Sequence, residues 1–285
     1  MIAITAATGQ LGHHVIEQLL RQVPAPQVVA LVRDPAKAAA FAARGVAVRA
    51  AGYDDPAALE RALAGVERLL LISGTDFGRR LAQHTNVINA AKRAGVRLIV
   101  YTSLLRADTS PLNLAPEHAG SEQALRAAGI PFIVLRNGWY HENYTASIPA
   151  ALAHQALVGS AGDGRIASAS RADYAAAAVA ALTGRAETGR TYELAGDHAY
   201  TLGDFATELS RQIGKPIPYV NLPEAEYAAI LLKAGLPPPL AHGLASWDAG
   251  AAQGALFDES RELSRLIGRP TTPVADAIRA ALAAR

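Results

Sequence analysis

Six short apolar runs, at residues 2–5, 28–32, 46–49, 69–72, 98–102 and 132–135, punctuate the first half of the chain. Between them lie stretches of helical periodicity at 11–22, 35–43, 56–64, 79–94 and 118–128. Gly45, Gly65, Gly95 and Gly129 stand just past the last turn of four of these stretches, where a helix commonly ends in a left-handed residue. The apolar runs show no polar alternation, so each predicted strand needs cover on both faces. Strand–helix alternation repeated this often restricts the fold to right-handed βαβ units in an α/β, doubly wound parallel sheet.

After residue 136 the rhythm changes. A glycine-rich segment at 159–164 and prolines at 216, 218, 223 and 237–239 break the pattern into shorter elements. Helices are predicted over 171–182, with Ser170 as its cap, and over 205–213, 224–234 and 274–284. Strands are expected near Tyr192 and Tyr219. The reading is a dinucleotide-binding domain over 1–136 and a smaller, mostly helical C-terminal subdomain over 137–285. The second is packed on the first and contributes to its sheet.

The first βα turn carries the chemistry. It reads Thr5-Ala6-Ala7-Thr8-Gly9-Gln10-Leu11-Gly12, with a strand before it and a helix after it. Gly9 lets backbone approach a pyrophosphate, and Gly12 lets the first helix pack closely on the sheet. The helix N-terminus then offers amide donors and the positive end of its dipole to phosphates. This is the Rossmann arrangement. At the end of the second predicted strand the first polar residue is Arg33, where a site selective for NADH would place a carboxylate on the ribose 2′-hydroxyl. A guanidinium there holds a 2′-phosphate by paired hydrogen bonds, so the expected cofactor is NADPH. Asp34 falls one residue late, before Pro35, and is expected to cap the next helix. Three further strand ends, 71–75, 101–104 and 135–140, reach the same edge, where ligands of open α/β sheets bind.

Composition removes other classes. There is no cysteine, which excludes disulfides, thiolate metal sites and a Cys nucleophile. The net charge of +2 comes without a basic tract, so no nucleic-acid partner is expected. No apolar run approaches the roughly 20 residues of a membrane span, and the N-terminus lacks a basic leader region. The expected compartment is the cytoplasm. His13 and His14 are adjacent on a helix, and no histidine pair has a metal-ligand spacing, so no metal is expected.

With TAATGQLG, LVRDPAK, LLLISG, YTSLLRADTSPL, LRNGWYHENY, ASRADYAAAA, YELAG and LIGRPTTP in order, the chain resembles the NmrA-like branch of the atypical short-chain dehydrogenases. Within that branch it is most similar to the bacterial type 2 NAD(P)H:quinone oxidoreductases and the triphenylmethane dye reductases. The resemblance implies NADPH binding and hydride transfer to a quinone or quinone-like dye. It places the cofactor against Ala6, Ala7, Thr8, Gly9, Gln10, Leu11, Arg33, Ser73, Gly74, Thr75, Asn137, Gly138, Trp139, Tyr140, His141, Glu142 and Arg171. Phe77, Tyr140 and Asn143 are the expected substrate contacts, offering aromatic faces and an amide. Ala6 departs from the family's G-x-x-G-x-x-G, standing where the first glycine belongs.

The chain contains no Tyr-x-x-x-Lys, the pair that handles the carbonyl proton in ordinary short-chain dehydrogenases. No catalytic residue is therefore assigned. Ser103 reads equally as a turn hydroxyl or a participant, and His118 as a solvated helix residue in preference to a substitute acid. Two functions stay open at this level, a quinone reductase and an NADP(H)-sensing regulator without turnover. The expected partner is a small-molecule quinone or aromatic dye, with a homodimer left open.

Overall fold

The computed structural model describes residues 1–284, and over them the alternation becomes a seven-stranded parallel sheet. Its first six strands are β1 (Ile2–Ile4), β2 (Val28–Val32), β3 (Ala47–Ala50), β4 (Arg68–Leu71), β5 (Leu98–Leu104) and β6 (Phe132–Asn137). A short strand β7 (Leu157–Gly159) lies outside the sheet, and β8 (Thr191–Leu194) then joins its edge beside β6. The order is β3-β2-β1-β4-β5-β6-β8. The chain winds outward from β1 to β3, then returns to place β4 on the other side of β1, which makes the β1/β4 gap the topological switch point.

The helices of the first half are α1 (Gln10–Leu19), α2 (Ala39–Ala42), α3 (Pro56–Ala62), α4 (Arg80–Arg93) and α5 (Ala115–Ala127). Beyond β6 follow α6 (His141–Thr145), α7 (Ile148–His154), α8 (Arg171–Leu182) and α9 (Leu202–Ile213). Strand β9 (Tyr219–Asn221) pairs in parallel with β7, and α10 (Glu224–Lys233), α11 (Pro238–Ala252), α12 (Glu262–Ile267) and α13 (Val274–Ala283) complete the chain.

The uninterrupted apolar strands now have their reason. Ile4, Ala30, Val32 and Leu70 face one core with Val15, Ile16 and Leu19 of α1 and the alanines of α8. Their neighbours Ala3, Val29, Leu31, Leu69 and Leu71 face a second core with Leu59, Val87 and Leu125. Because successive strand residues point to opposite faces, a sheet covered on both sides must be apolar at every position. The alanine-rich sequence of α8 lets it lie close against both α1 and the sheet. A third core, with Trp139, Tyr144, Phe205, Leu209 and Ile278, sits among the elements beyond β6.

Several expected elements shift. The predicted helix at 35–43 opens as a 3₁₀ turn, Pro35–Ala38, with Asp34 accepting from the Ala36 amide as expected of a cap. The predicted helix at 118–128 starts three residues earlier, at Ala115, because Pro116 sits in its first turn, where a missing N–H costs nothing. From sequence the prolines at 237–239 read as interruptions. Pro238 instead opens the 15-residue helix α11, for the same reason. Among the described residues no helix is long and apolar enough to cross a membrane.

Candidate functional site

The β1–α1 turn is shaped by close backbone approach. Ala6 is held at φ +47°, in the left-handed region, and its carbonyl accepts the Gly9 amide at 2.9 Å. A Cβ on Gly12 would run into that same carbonyl and stand 2.8 Å from the Ala7 Cα, so only glycine fits there. Gly9 is the N-cap of α1 and brings no side chain to cap it. The first-turn amides therefore face a cavity of about 400 Å³, lined by Thr8, Gly9, Gln10, His13, His14, Glu142 and Arg171. A helix N-terminus without a side-chain cap, opening on a cavity at the switch point, is a seat for an anion.

The far wall comes from α6 and α8, with the end of β6 beside them. The Glu142 carboxylate accepts the Arg171 amide at 2.9 and 3.2 Å. The Arg171 guanidinium donates to Asn143 Oδ1 at 3.0 Å and lies 4.7 Å from the Tyr140 ring centroid. Tyr140 packs edge-on against Tyr174, at 5.2 Å between centroids. Burial pushes the Tyr140 phenol above its ordinary pKa. Asn137, the last residue of β6, is buried with both side-chain polar atoms unpartnered. Such atoms are costly to bury without a partner and mark where a ligand's donor and acceptor would fit.

The end of β4 is pinned from below. The Ser73 amide donates to Thr102 Oγ1 at 2.9 Å, and the Gly74 amide to His84 Nε2 at 3.0 Å. His84 therefore carries its proton on Nδ1, directed at Ser121 Oγ 2.9 Å away, whose own proton goes to the Glu117 carbonyl. Burial lowers the His84 pKa to about 3, so this imidazole is a neutral strut. Arg80, also buried, donates from Nε to the Gly74 carbonyl at 2.8 Å.

His118 is not the solvated residue its sequence position suggested. It lies on the inward face of α5, where it is buried with Nδ1 2.8 Å from the Tyr101 hydroxyl. Desolvation lowers its pKa to about 3, so it is neutral at physiological pH. Ser103 is a framework residue in its contacts. Its hydroxyl donates to the buried Glu122 at 2.6 Å. Glu122 in turn takes two bonds from Arg136, at 2.8 and 2.9 Å. Arg136 also reaches Glu193 at 2.8 Å and Asp108 at 3.0 Å, tying β5, β6, β8 and α5 together.

Of the residues expected at the cofactor, the cavity gathers Thr8, Gly9, Gln10, Glu142 and Arg171. Arg33 stands exposed at the end of β2, and no carboxylate pairs with it among the described residues. The side chain of His141 is turned away, between Ser168 Oγ at 2.7 Å and the Thr272 carbonyl at 2.8 Å. Of the expected substrate contacts, Tyr140 and Asn143 meet at Arg171, while Phe77 lies apart, half-exposed, beside Trp247. Trp247 was not among the sequence-based candidates. Its one local signal is a glycine four residues earlier in the same helix, which clears space for a ring. Among the described residues no cluster of three or more His, Asp or Glu could hold a metal ion.

Comparison with known proteins gives this geometry a context. The NmrA-like family matches residues 1–264. Quinone oxidoreductase 2 of Escherichia coli (strain K12) is 59% identical over 278 residues, covering 98% of this chain and 97% of that protein. The crystal structure of an E. coli NADPH-dependent quinone oxidoreductase complexed with NADPH is similar with a TM-score of 0.97 and 58% identity. That similarity covers 99% of this chain and 100% of the other. The Citrobacter sp. triphenylmethane reductase complexed with NADP(H) gives a TM-score of 0.95 at 36% identity, again over 99% and 100% of the two chains.

Proposed function

The chain belongs to the NmrA-like family, and from that premise we propose that it is an NADPH-dependent oxidoreductase that reduces quinones or quinone-like dyes. The observation that carries the reading is the open α1 N-terminus at the β1/β4 switch point, facing a cavity walled by Arg171. A dinucleotide fits these residues. Free first-turn amides suit its pyrophosphate, and the unpartnered Asn137 amide suits a polar group at its far end. Ala6 to Leu11 would hold the pyrophosphate, with Arg171 as the opposing cation. Arg33 would take the 2′-phosphate, while Ser73 to Thr75 and Asn137 to Glu142 would flank the nicotinamide half. Residues 1–136 would then form the cofactor side and 137–285 the acceptor side.

NADPH, when bound, supplies the hydride. The chain's own contribution is to orient the acceptor, and no protein acid is required of it. His118 is neutral, Ser103 has committed its proton to Glu122, and no Tyr-x-x-x-Lys is present. A quinone tolerates this, because the charge gained on reduction is delocalised and water can protonate the hydroquinone anion. The test is NADPH oxidation, followed by absorbance, with menadione or a triphenylmethane dye at catalytic protein concentration. Multiple turnovers support the proposal. Tight NADPH binding with no oxidation by any quinone or dye would replace it with the dinucleotide-sensor reading.

A further inference from the structure

Three aromatic rings from distant parts of the chain meet beyond the C-terminal ends of β4, β5 and β6. Phe77 comes from the β4–α4 connection, Trp139 from just after β6, and Trp247 from α11. The Phe77 and Trp247 centroids are 6.0 Å apart, and those of Trp247 and Trp139 are 5.6 Å apart at 68°. Phe77 is half-exposed and Trp139 buried, so the row leads from the surface inward. With the pyrophosphate seat at β1, a dinucleotide crossing the switch point directs its reactive half toward this side of the sheet.

Trp247 is held in one orientation from two sides. Its Nε1–H donates to Asn113 Oδ1 at 2.8 Å. Beneath it lies Gly243, one helical turn earlier, where a Cβ would stand 3.0 Å from Cζ2 and 3.2 Å from Cη2 of the indole. Gly243 has ordinary helical backbone, so conformation does not require glycine there. A glycine inside a helix weakens it. What this one provides is room for the indole close against its own helix.

We propose that Trp247, set by Asn113 and Gly243, is the face on which the acceptor ring stacks, and that it selects flat, electron-poor aromatic acceptors. The inference rests on the hydride-transfer reading above and deepens it by assigning the recognition of the acceptor. An indole presents an electron-rich face, which complements the electron-poor face of a quinone. Phe77, beside it on the surface, would form the mouth.

The chain has two tryptophans, so Trp139→Phe leaves Trp247 as the sole indole emitter. Its fluorescence is titrated with menadione in the presence of saturating NADP⁺, which permits no turnover, and corrected for absorption by the quinone. Saturable quenching is expected, weakened about tenfold when Gly243→Ala is added. In steady-state kinetics Gly243→Ala and Asn113→Ala should each raise the KM for menadione five- to tenfold. Their kcat should stay within about threefold and their NADPH affinity should be unchanged, the pattern of lost ground-state binding. Trp247→Phe should retain most of the affinity that Trp247→Ala loses. Absence of saturable quenching, or an unmoved KM in Gly243→Ala, would overturn the proposal. A parent protein that oxidises no NADPH yet shows Trp247 quenching would defeat the hydride-transfer reading while leaving the stacking face standing.

Discussion

Ala6→Gly tests whether the departure in the glycine turn burdens the fold or the cofactor. Ala6 is exposed and sits at φ +47°, so packing of its methyl does little to offset the left-handed backbone. For an L-residue with a Cβ this region costs roughly 1–2 kcal/mol. Glycine removes that cost but gives the unfolded chain more freedom, which takes back about 0.4–1 kcal/mol. The net expectation is a stabilisation of about 0.5–1 kcal/mol, or roughly 1–4 °C in Tm for a chain of this size. The left-handed turn is already formed without cofactor, closed by the Gly9 amide on the Ala6 carbonyl. Its strain therefore belongs to folding, and NADPH affinity should change by less than about threefold. Urea denaturation at constant m-value reads the first quantity and calorimetric titration with NADPH the second. A lower denaturation midpoint for the variant would refute the strain argument. A tenfold gain in NADPH affinity at unchanged stability would instead show that the Ala6 methyl obstructs the cofactor.

If Arg33 holds the 2′-phosphate as proposed, Arg33→Ala removes a charge-assisted bond pair worth about 1.5–3 kcal/mol. NADPH binding should weaken about ten- to a hundredfold with NADH nearly unaffected, and equal losses for both in titration would exclude Arg33 from the phosphate. His118→Ala and Ser103→Ala should each keep quinone turnover within about tenfold, against the 10²–10⁴ that loss of a general acid costs. Each should lower stability, since His118→Ala orphans the Tyr101 hydroxyl and Ser103→Ala takes a donor from Glu122. Collapse of turnover in a folded His118→Ala with normal NADPH affinity would contradict the acid-free mechanism. Asp248 in α11 is buried with only the Ser160 amide at 3.1 Å and the Tyr144 hydroxyl at 3.4 Å, and desolvation raises its pKa from 3.8 to about 6. The native state thus holds its proton to higher pH than the unfolded chain, so Asp248 destabilises increasingly from about pH 4 to pH 6 and then levels off. Asp248→Asn should gain up to about 3 kcal/mol on the parent across that window. A stability difference independent of pH would show that Asp248 is not desolvated.

What the sequence made legible was whatever is recorded locally. Ala3 beside Ile4, and Leu69, Leu70 and Leu71 in a row, announce strands covered on both faces because neighbouring positions must each be apolar. Gly9 and Gly12 announce the turn because the close approach is to atoms only a few residues away. The prolines at 237–239 misled for a local reason too, since a proline reads as a break unless the helix start is known to fall on it. The inward face of His118 was hidden as well, since the Tyr101 hydroxyl it meets belongs to a strand and not to its own helix. The setting of Trp247 was illegible for a different reason. Trp247 meets Asn113 across 134 residues of chain, and Arg136 meets Glu193 across 57, so neither pairing leaves a periodic trace. The proposed cofactor seat is built by one βα turn that carries its own geometry, whereas the proposed acceptor face joins α11 to the turn before α5, which only tertiary packing brings together. An acceptor preference could therefore change through Asn113, Gly243 or Trp247 while the turn stays as it is, and variants at those positions should alter the choice of acceptor without altering the choice between NADPH and NADH.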